Sequence, residues 1–260
     1  MDKTISTERT GRNDEVLVVT IERPGVRNAV NAEAADALYE AFKAFNSDGG
    51  LHVAILTGAG GNFCAGADLK AISAGHPNRF SVDGEYGPMG PTRLELSKPV
   101  IAAVDGYAVA GGLELAIWCD LRVVSPSAKF GVFCRRFGVP LIDGGTVRLP
   151  RLIGHSRAMD MILTGREVDA AEALQMGLAN YATPDESALP RAIELAEQVS
   201  AFPQVCMRND RMSAMRQWSL SLEEALHAEG RLGRDTLRTG SAASGASEFA
   251  GGKGRNGHFD

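Results

Sequence analysis

Blocks of apolar and polar residues alternate along the first half of the chain and predict strands and helices in turn. The β-branched run 16–22, which ends at a Pro-Gly pair, predicts a strand followed by a turn. Apolar residues then recur at steps of three and four from Ala34 to Phe45, which predicts one buried face of a helix. Asn31 is the expected N-cap of this helix, and Gly49 its expected end.

The same order of elements recurs further along the chain. The apolar runs 53–57, 99–104 and 121–124 predict buried strands, and residues 111–119 predict a helix between the last two. Strands and helices that alternate at this rhythm are typical of an α/β core.

Two regions interrupt this order. Ser73–Arg93 is rich in glycine and proline, and it predicts a long surface loop of the kind that forms lids over binding sites. From Arg151 onward the pattern predicts helices in succession, without strands between them: 155–163, 169–176, 187–201, 203–218 and 222–237. We therefore predict a core domain over residues 1–183 and a helical region over 184–260, with a flexible tail from Gly245.

Composition excludes several classes of protein. The 260 residues are 44% hydrophobic and 23% charged, which is enough apolar sequence for a large core. The net charge of −5 and the lack of a basic stretch argue against a nucleic-acid partner. The longest apolar region, 100–124, contains Asp105, Glu114 and Asp120, so we expect no membrane span.

The cysteines and the N-terminus bear on the compartment. The four cysteines are irregularly spaced and form no paired-ligand motif, so we expect neither a disulfide framework nor a metal site. The polar N-terminal sequence lacks the apolar stretch of a signal peptide. A reducing compartment, the cytoplasm, is the expectation.

Two segments of small residues have a pattern that suggests chemistry. Asn62–Lys70 and Gly106–Ala116 each follow a predicted strand and lead into the first turn of a helix. Unpaired N–H groups at such a turn favour an anion, and two turns brought together could form an oxyanion hole. Turns of this kind are also ordinary packing devices, so either segment alone indicates little.

Glu114 strengthens the chemical interpretation. It lies three residues after Gly111 among apolar neighbours, so its carboxylate should be partly desolvated and its pKa raised. Such a group could act as a general acid or base. A glutamate near a helix start is also favoured by the helix dipole alone. The chain has no complete dinucleotide fingerprint, no nucleophile elbow and no Walker loop.

Several motifs together resemble the crotonase (enoyl-CoA hydratase/isomerase) superfamily over nearly the whole chain. The resemblance is carried by residues 23–31 (RPGVRNAVN), 63–69 (FCAGADL), 104–116 (VDGYAVAGGLELA), 144–154 (GGTVRLPRLIG) and 163–178. It implies a spiral of ββα units with a C-terminal helical trimerisation region, assembled as a trimer or a dimer of trimers. It also implies an acyl-CoA substrate, with coenzyme A arriving as part of that substrate and no separate metal or redox cofactor.

The resemblance assigns roles to individual residues. The oxyanion-hole N–H groups fall on Ala67 and Gly111, and the first catalytic glutamate of hydratases falls on Glu114. The residues expected to contact coenzyme A are Arg27, Ala29, Ala65, Asp68, Leu69 and Gly112.

The chain departs from hydratases at the second catalytic glutamate, which falls on Cys134. A thiol with a pKa near ~8.5 is mostly protonated at neutral pH and cannot replace a carboxylate base. We therefore expect Cys134 to be a small buried residue rather than a nucleophile, unless Arg135 or Arg136 lowers its pKa. Asp143 lies nine residues further on, before a Gly-Gly pair, and it is either a catalytic acid or an ordinary turn or helix-capping residue. Among the remaining titratable residues His76, in the predicted lid, could touch a substrate. We expect Phe130 and Phe133 to belong to the core.

The leading hypothesis is an enoyl-CoA hydratase-type lyase. The alternatives are an enoyl-CoA isomerase, another reaction on the same enolate such as carnitinyl-CoA dehydration or thioester hydrolysis, and an acyl-CoA-binding protein without turnover. The apolar residues of 203–218 and 222–237 exceed what one helical lobe needs to bury, so we expect a homo-oligomer. Lys253 and Arg255 of the tail could then lie near a phosphate of coenzyme A.

Overall fold

A six-stranded sheet forms the centre of the fold in this computed structural model, which describes residues 3–254. Its strands, in spatial order, are β1 (Ile5–Thr10), β2 (Val16–Ile21), β3 (Val53–Gly58), β4 (Val100–Val104), β6 (Leu121–Val124) and β9 (Tyr181–Ala182). β1 runs antiparallel to β2, and the other pairs are parallel. The polar sequence of β1 had not suggested a strand.

Alternation along the strands gives the sheet two buried faces. Val19 and Leu56 pack into the larger apolar cluster, with helix α1 (Ala32–Ser47), whereas Val18 and Ile55 point to the other face. Parallel strands buried on both faces read as continuous apolar runs, and for this reason the sequence predicts them well. Oδ1 of Asn31 accepts the N–H of Ala34 at 3.0 Å, which confirms the predicted N-cap of α1.

A second, three-stranded sheet positions the candidate site. It consists of β5 (Tyr107–Val109), β7 (Lys129–Gly131) and β8 (Glu167–Asp169). β5 follows β4 after a tight turn and leads directly into helix α3 (Gly111–Trp118). Single bridges join Cys64 to Ala108 and Val30 to Ala67, so the segment after β3 lies beside β5.

The remaining helices of this part of the chain are α2 (Leu69–Ser73), α4 (Gly145–Ile153), α5 (His155–Thr164), α6 (Ala170–Met176) and α7 (Leu189–Ser200). The prediction of helices without intervening strands was wrong, because β8 and β9 lie among them. These strands are two or three residues long and depend on pairing with distant residues, so local periodicity cannot show them.

The chain divides into two compact units after Val199. The boundary that we predicted, between residues 183 and 184, precedes α7, whereas the observed division lies near the C-terminal end of α7. The reason is that Ala192, Leu195 and Ala196 of α7 pack against the sheet face that carries Val18 and Ile55.

The second unit consists of helices α8 (Gln204–Arg216), α9 (Leu222–Arg238) and α10 (Ser241–Ala250). The predicted flexible tail is thus helical as far as Ala250, and Arg255 lies outside the described residues. Asn209 of α8 donates to the carbonyl of Leu232 at 3.1 Å and to the hydroxyl of Thr236 at 2.9 Å, which joins α8 to α9. Within residues 3–254, the helices are too short or too polar for any to cross a bilayer.

Candidate active site

The two small-residue segments meet as the sequence predicted. The N–H of Cys64 donates to the carbonyl of Tyr107 at 2.8 Å, and the N–H of Val109 donates to the carbonyl of Cys64 at 3.1 Å. A Cβ on Gly66 would lie 3.0 Å from the nitrogen of Gly111, and a Cβ on Gly112 would lie 2.0 Å from the carbonyl oxygen of Cys64. Only glycine permits this approach, so the glycines hold the two turns against each other.

Ala67 and Gly111 line one cavity. Among the described residues the backbone N–H of neither donates to a protein acceptor. Gly111 is the first residue of α3, where helical geometry leaves N–H groups unpaired. Ala110 before it adopts φ 54°, a conformation rare for residues with a Cβ, while its own N–H is bonded to the carbonyl of Gly131 at 2.8 Å. The arrangement can bind an oxyanion.

Glu114 lines the same cavity and is 2% exposed. Its Oε1 accepts the N–H groups of Asp143 at 2.9 Å and Gly145 at 2.8 Å. Its Oε2 has no partner among residues 3–254, so it is available to a molecule in the cavity that Glu114 lines. Burial, together with the nearby carboxyl of Asp143, raises the pKa of Glu114 to about 7, against the opposing effect of the two N–H groups. The predicted direction of the pKa shift is confirmed.

Asp143 lies on the same cavity and is 3% exposed. Its Oδ1 accepts the N–H of Met89 at 2.9 Å and the hydroxyl of Thr92. Burial raises the pKa of Asp143, although the hydrogen bonds from Thr92 and Met89 act in the opposite direction. The capping alternative is wrong, since α4 begins after Gly144, in a left-handed conformation, without a side-chain cap.

The cavity has a volume of about 440 Å³, and its wall is mainly apolar. The apolar residues that line it include Leu69, Ile72, Phe80, Met89, Phe133, Phe137, Val139 and Ile142. Phe133 was expected in the core but lies on this wall, whereas Phe130 is fully buried as expected. Cys134 also lines the cavity, and burial, aided by the charge of Glu114, raises the pKa of its thiol. The cavity can therefore hold an apolar group beside two carboxyls and two N–H donors.

The loop between α2 and β4 forms the roof of the cavity. The prediction of a surface loop holds for residues 74–86, but residues 87–92 are buried. Gly90 explains part of this burial, because with φ 90° it approaches so close to α1 that a Cβ would lie 2.4 Å from the carbonyl oxygen of Ala35. His76 does not line the cavity, whereas Pro77 and Asn78 beside it do.

The residues expected to contact coenzyme A fall into two groups. Ala65 and Leu69 line the cavity, whereas Arg27, Ala29, Asp68 and Gly112 do not. Arg27 is exposed and lies next to Ala65, because the N–H of Ala65 donates to the Arg27 carbonyl at 3.0 Å. The guanidinium of Arg27 lies 4.9 Å from the ring centroid of Tyr107.

The carboxylate of Asp68 is occupied by structural contacts. It caps α2 by accepting the N–H groups of Lys70 at 3.1 Å and Ala71 at 3.2 Å, and it pairs with Arg23 at 2.9 Å. These contacts favour a structural role for Asp68 over contact with a ligand. Gly112 likewise serves the close approach to Cys64.

Sequence reasoning missed three residues that hold the acid. Met89 and Thr92 bind Oδ1 of Asp143, and Arg148 donates to the Asp143 carbonyl at 2.9 Å and to the Thr92 carbonyl at 2.7 Å. Met89 lies in a loop and Thr92 in a single 3₁₀ turn (Pro91–Arg93), and neither gives a periodic signal. Arg148 stands in a motif that the resemblance included, without a role attached to it.

Comparison with known proteins identifies the family. The family model described as Enoyl-CoA hydratase/isomerase matches residues 11–255. Enoyl-CoA hydratase EchA19 of Mycobacterium tuberculosis is 38% identical, with 92% of this chain and 91% of the relative covered. Carnitinyl-CoA dehydratase of Salmonella arizonae is 40% identical, with 74% and 73% covered.

A solved structure extends the likeness to the fold. Enoyl-CoA hydratase EchA1 from Mycobacterium marinum superposes with a TM-score of 0.88 at 36% identity, and 95% of each chain is covered. The predicted α/β fold, a crotonase-like spiral with C-terminal helices, is thereby confirmed. Matched by the family model over most of its length, the chain belongs to the enoyl-CoA hydratase/isomerase family.

Proposed function

We propose that this enzyme adds water to a 2-enoyl-CoA, or removes it from a 3-hydroxyacyl-CoA, through a thioester enolate. One observation carries the proposal: Ala67, Gly111, Glu114 and Asp143 line the same apolar cavity. Among residues 3–254, the N–H groups of the first two have no acceptor, and one carboxyl oxygen of each of the last two has no donor. The named functions of the relatives, enoyl-CoA hydratase and carnitinyl-CoA dehydratase, support the same class of reaction.

The two N–H groups bind the thioester oxygen. As water adds to the β-carbon, negative charge develops on this oxygen, and preorganised donors stabilise it without reorganisation. The loss of one such donor typically costs on the order of 100- to 1000-fold in rate. The acyl chain would extend along the apolar wall, and coenzyme A would leave the cavity past Ala65 toward Arg27.

The two carboxyl groups divide the proton transfers between them. Oε2 of ionised Glu114 takes a proton from water as the water oxygen bonds to the β-carbon and the double-bond electrons move toward the thioester. Oδ2 of Asp143, in the enzyme form that carries a proton there, then gives this proton to the α-carbon. Proton exchange with solvent afterwards returns both carboxyls to their starting states. The Cys134 thiol has a raised pKa and stays protonated, so it does not replace the missing carboxylate. Dehydration follows the same steps in reverse.

A panel of 2-enoyl-CoA thioesters of increasing chain length tests the proposal. Hydration removes the absorbance of the conjugated double bond and, in water labelled with oxygen-18, places the label on carbon 3. Label-free products with a displaced double bond would show isomerisation instead. Binding without turnover across the panel would contradict any hydratase or isomerase and leave an acyl-CoA-binding protein.

Isomerisation is the second candidate, and Cys134 is the observation that favours it. One carboxylate can move a proton between the α- and γ-carbons, whereas hydration normally uses two proton-transferring groups. If Asp143 is not the second group, Glu114 acts alone, and isomerisation becomes the better explanation of the site.

We also propose a homo-oligomer, a trimer or a dimer of trimers, in the cytoplasm. The large apolar side chains exposed on the second unit support assembly; they include Trp218, Leu222, Leu226, Leu237 and Phe249. All four cysteines are free thiols, as expected of a reducing compartment.

A further inference from the structure

The carboxyl of Asp143 is held by one oxygen only. Thr92 is fully buried, and its hydroxyl donates to Oδ1, which also accepts the N–H of Met89 at 2.9 Å. Oδ2 has no partner within the described part of the chain, and Asp143 lines the cavity. The two oxygens of this carboxyl therefore have different surroundings.

Arg148 joins the two residues through their backbones. Its guanidinium donates to the carbonyl of Asp143 at 2.9 Å and to that of Thr92 at 2.7 Å. Gly144 makes room for the guanidinium, because a Cβ there would lie 2.1 Å from Nη1 of Arg148. The distance between the Thr92 and Asp143 backbones is thus fixed independently of the hydrogen bond between their side chains.

Gly87 makes room for the hydroxyl itself. A Cβ on Gly87 would lie 2.0 Å from Oγ1 of Thr92 and 2.8 Å from Oδ1 of Asp143. The loop therefore closes over the pair so tightly that no side chain fits at Gly87. A buried pair enclosed in this way stays in one geometry.

An oxygen that accepts two hydrogen bonds has little remaining capacity to carry the acid proton of a neutral carboxyl. We propose that Thr92 is a positioning residue: it holds Oδ1 of Asp143 so that the acid proton lies on Oδ2, directed at the α-carbon of the thioester. The inference rests on the proposed function, because it assigns Asp143 the protonation of that carbon. Thr92 itself touches no reacting atom.

Several charged or titratable groups surround Asp143. They are Glu114 on α3, Arg93 in the roof loop, Arg148 on α4, and the buried thiol of Cys64. Thr92, which carries no charge, donates directly to the carboxyl, as does the N–H of Met89, and the hydrogen bond from Thr92 favours the ionised form. Removal of the hydroxyl should therefore raise the pKa of Asp143 further and weaken it as an acid.

Thr92→Val and Thr92→Ser distinguish the effect of the hydroxyl as a hydrogen-bond donor from the effect of the side-chain volume. Valine keeps the shape without the donor, and serine keeps the donor. We expect Thr92→Val to lower kcat about tenfold with KM changed less than about threefold, and Thr92→Ser to restore most of kcat. The pH at which kcat falls because Asp143 loses its proton should be higher in Thr92→Val than in the unaltered enzyme. Thr92→Ala replaces it if valine prevents folding.

Infrared titration of the neutral carboxyl band gives a readout that needs no turnover. Asp143→Asn identifies the band that belongs to Asp143, and in Thr92→Val that band should persist to higher pH than in the unaltered protein. An unchanged band and kcat in Thr92→Val, or a kcat loss of equal size in Thr92→Ser, would overturn the inference. If the unaltered enzyme turns over no enoyl thioester, the proposed function fails, and the infrared titration still decides the role of Thr92.

Discussion

Replacement of Glu114 by glutamine removes the proposed base with little change of shape. The amide oxygen of glutamine can still accept the N–H groups of Asp143 and Gly145, while its NH₂ group takes the place of Oε2. General acid–base assistance is worth ~100- to 10,000-fold, so we expect turnover of enoyl thioesters to fall by that factor. The affinity for coenzyme A should stay within a few-fold, because the residues expected to contact coenzyme A do not include Glu114.

The same variant should gain stability at alkaline pH. A carboxyl whose pKa rises from 4.5 to about 7 on folding contributes its full stability below pH 4.5 and loses it as the pH passes through 7. At pH 8 the folded state must carry a buried charge, which costs up to about 3 kcal/mol relative to pH 4. Glutamine avoids this cost. The difference in unfolding free energy between Glu114→Gln and the unaltered enzyme should therefore grow in favour of the variant between pH 4 and pH 8.

Urea denaturation at pH 4, 6 and 8 measures this difference, and the hydration assay measures turnover. Glu40→Gln, which changes an exposed glutamate on α1, is the matched control and should show neither effect. In the unaltered enzyme kcat/KM for hydration should fall as the pH drops below about 7, because the base must be ionised. Near-normal turnover of Glu114→Gln, or a stability difference that does not depend on pH, would refute the reasoning.

Three further results are expected. Cys134→Ala should have a mild effect on hydration and Asp143→Asn a severe one; the reverse would make the thiol the working group. Gly112→Ala should abolish turnover and lower the melting temperature, because its Cβ would lie 2.0 Å from the carbonyl oxygen of Cys64, whereas Gly49→Ala, with open space around it, should do neither. Light scattering at micromolar concentration should give a mass well above the 27.5 kDa of one chain, and a monomer mass would contradict the proposed assembly.

The elements that the sequence predicts well are those with a regular or continuous apolar pattern. The helix α1 buries side chains at steps of three and four, and the strands β2, β3 and β4 are buried at nearly every position and read as continuous apolar runs. The helix α4 was missed because it is short and contains Pro150. The strands β5, β7 and β8 were missed because each has only three residues, too few to show a period. Their stability comes from pairing with distant residues.

The site shows the same limit at the level of single residues. Glu114 stood out because a carboxylate among apolar neighbours on a helix is unusual, and its raised pKa follows from that setting. The hydrogen bond between Thr92 and Asp143 joins positions 51 residues apart through a loop without periodicity. Only the folded chain brings these two residues together, so their pairing could not be predicted.

The loop between α2 and β4, which forms the roof of the cavity, has a buried part and an exposed part that are held by different contacts. Residues 87–92 are buried and hold Asp143, whereas residues 74–86 are largely exposed and tied at the surface, where Arg79 pairs with Asp36 and Arg93 donates to the carbonyl of Ser81. Phe80, in the exposed part, lines the apolar wall of the cavity. Exchange of this surface stretch would reshape the space for the acyl chain and leave the acid in place. Substrate preference and reaction chemistry can thus diverge independently within a single connection of the fold.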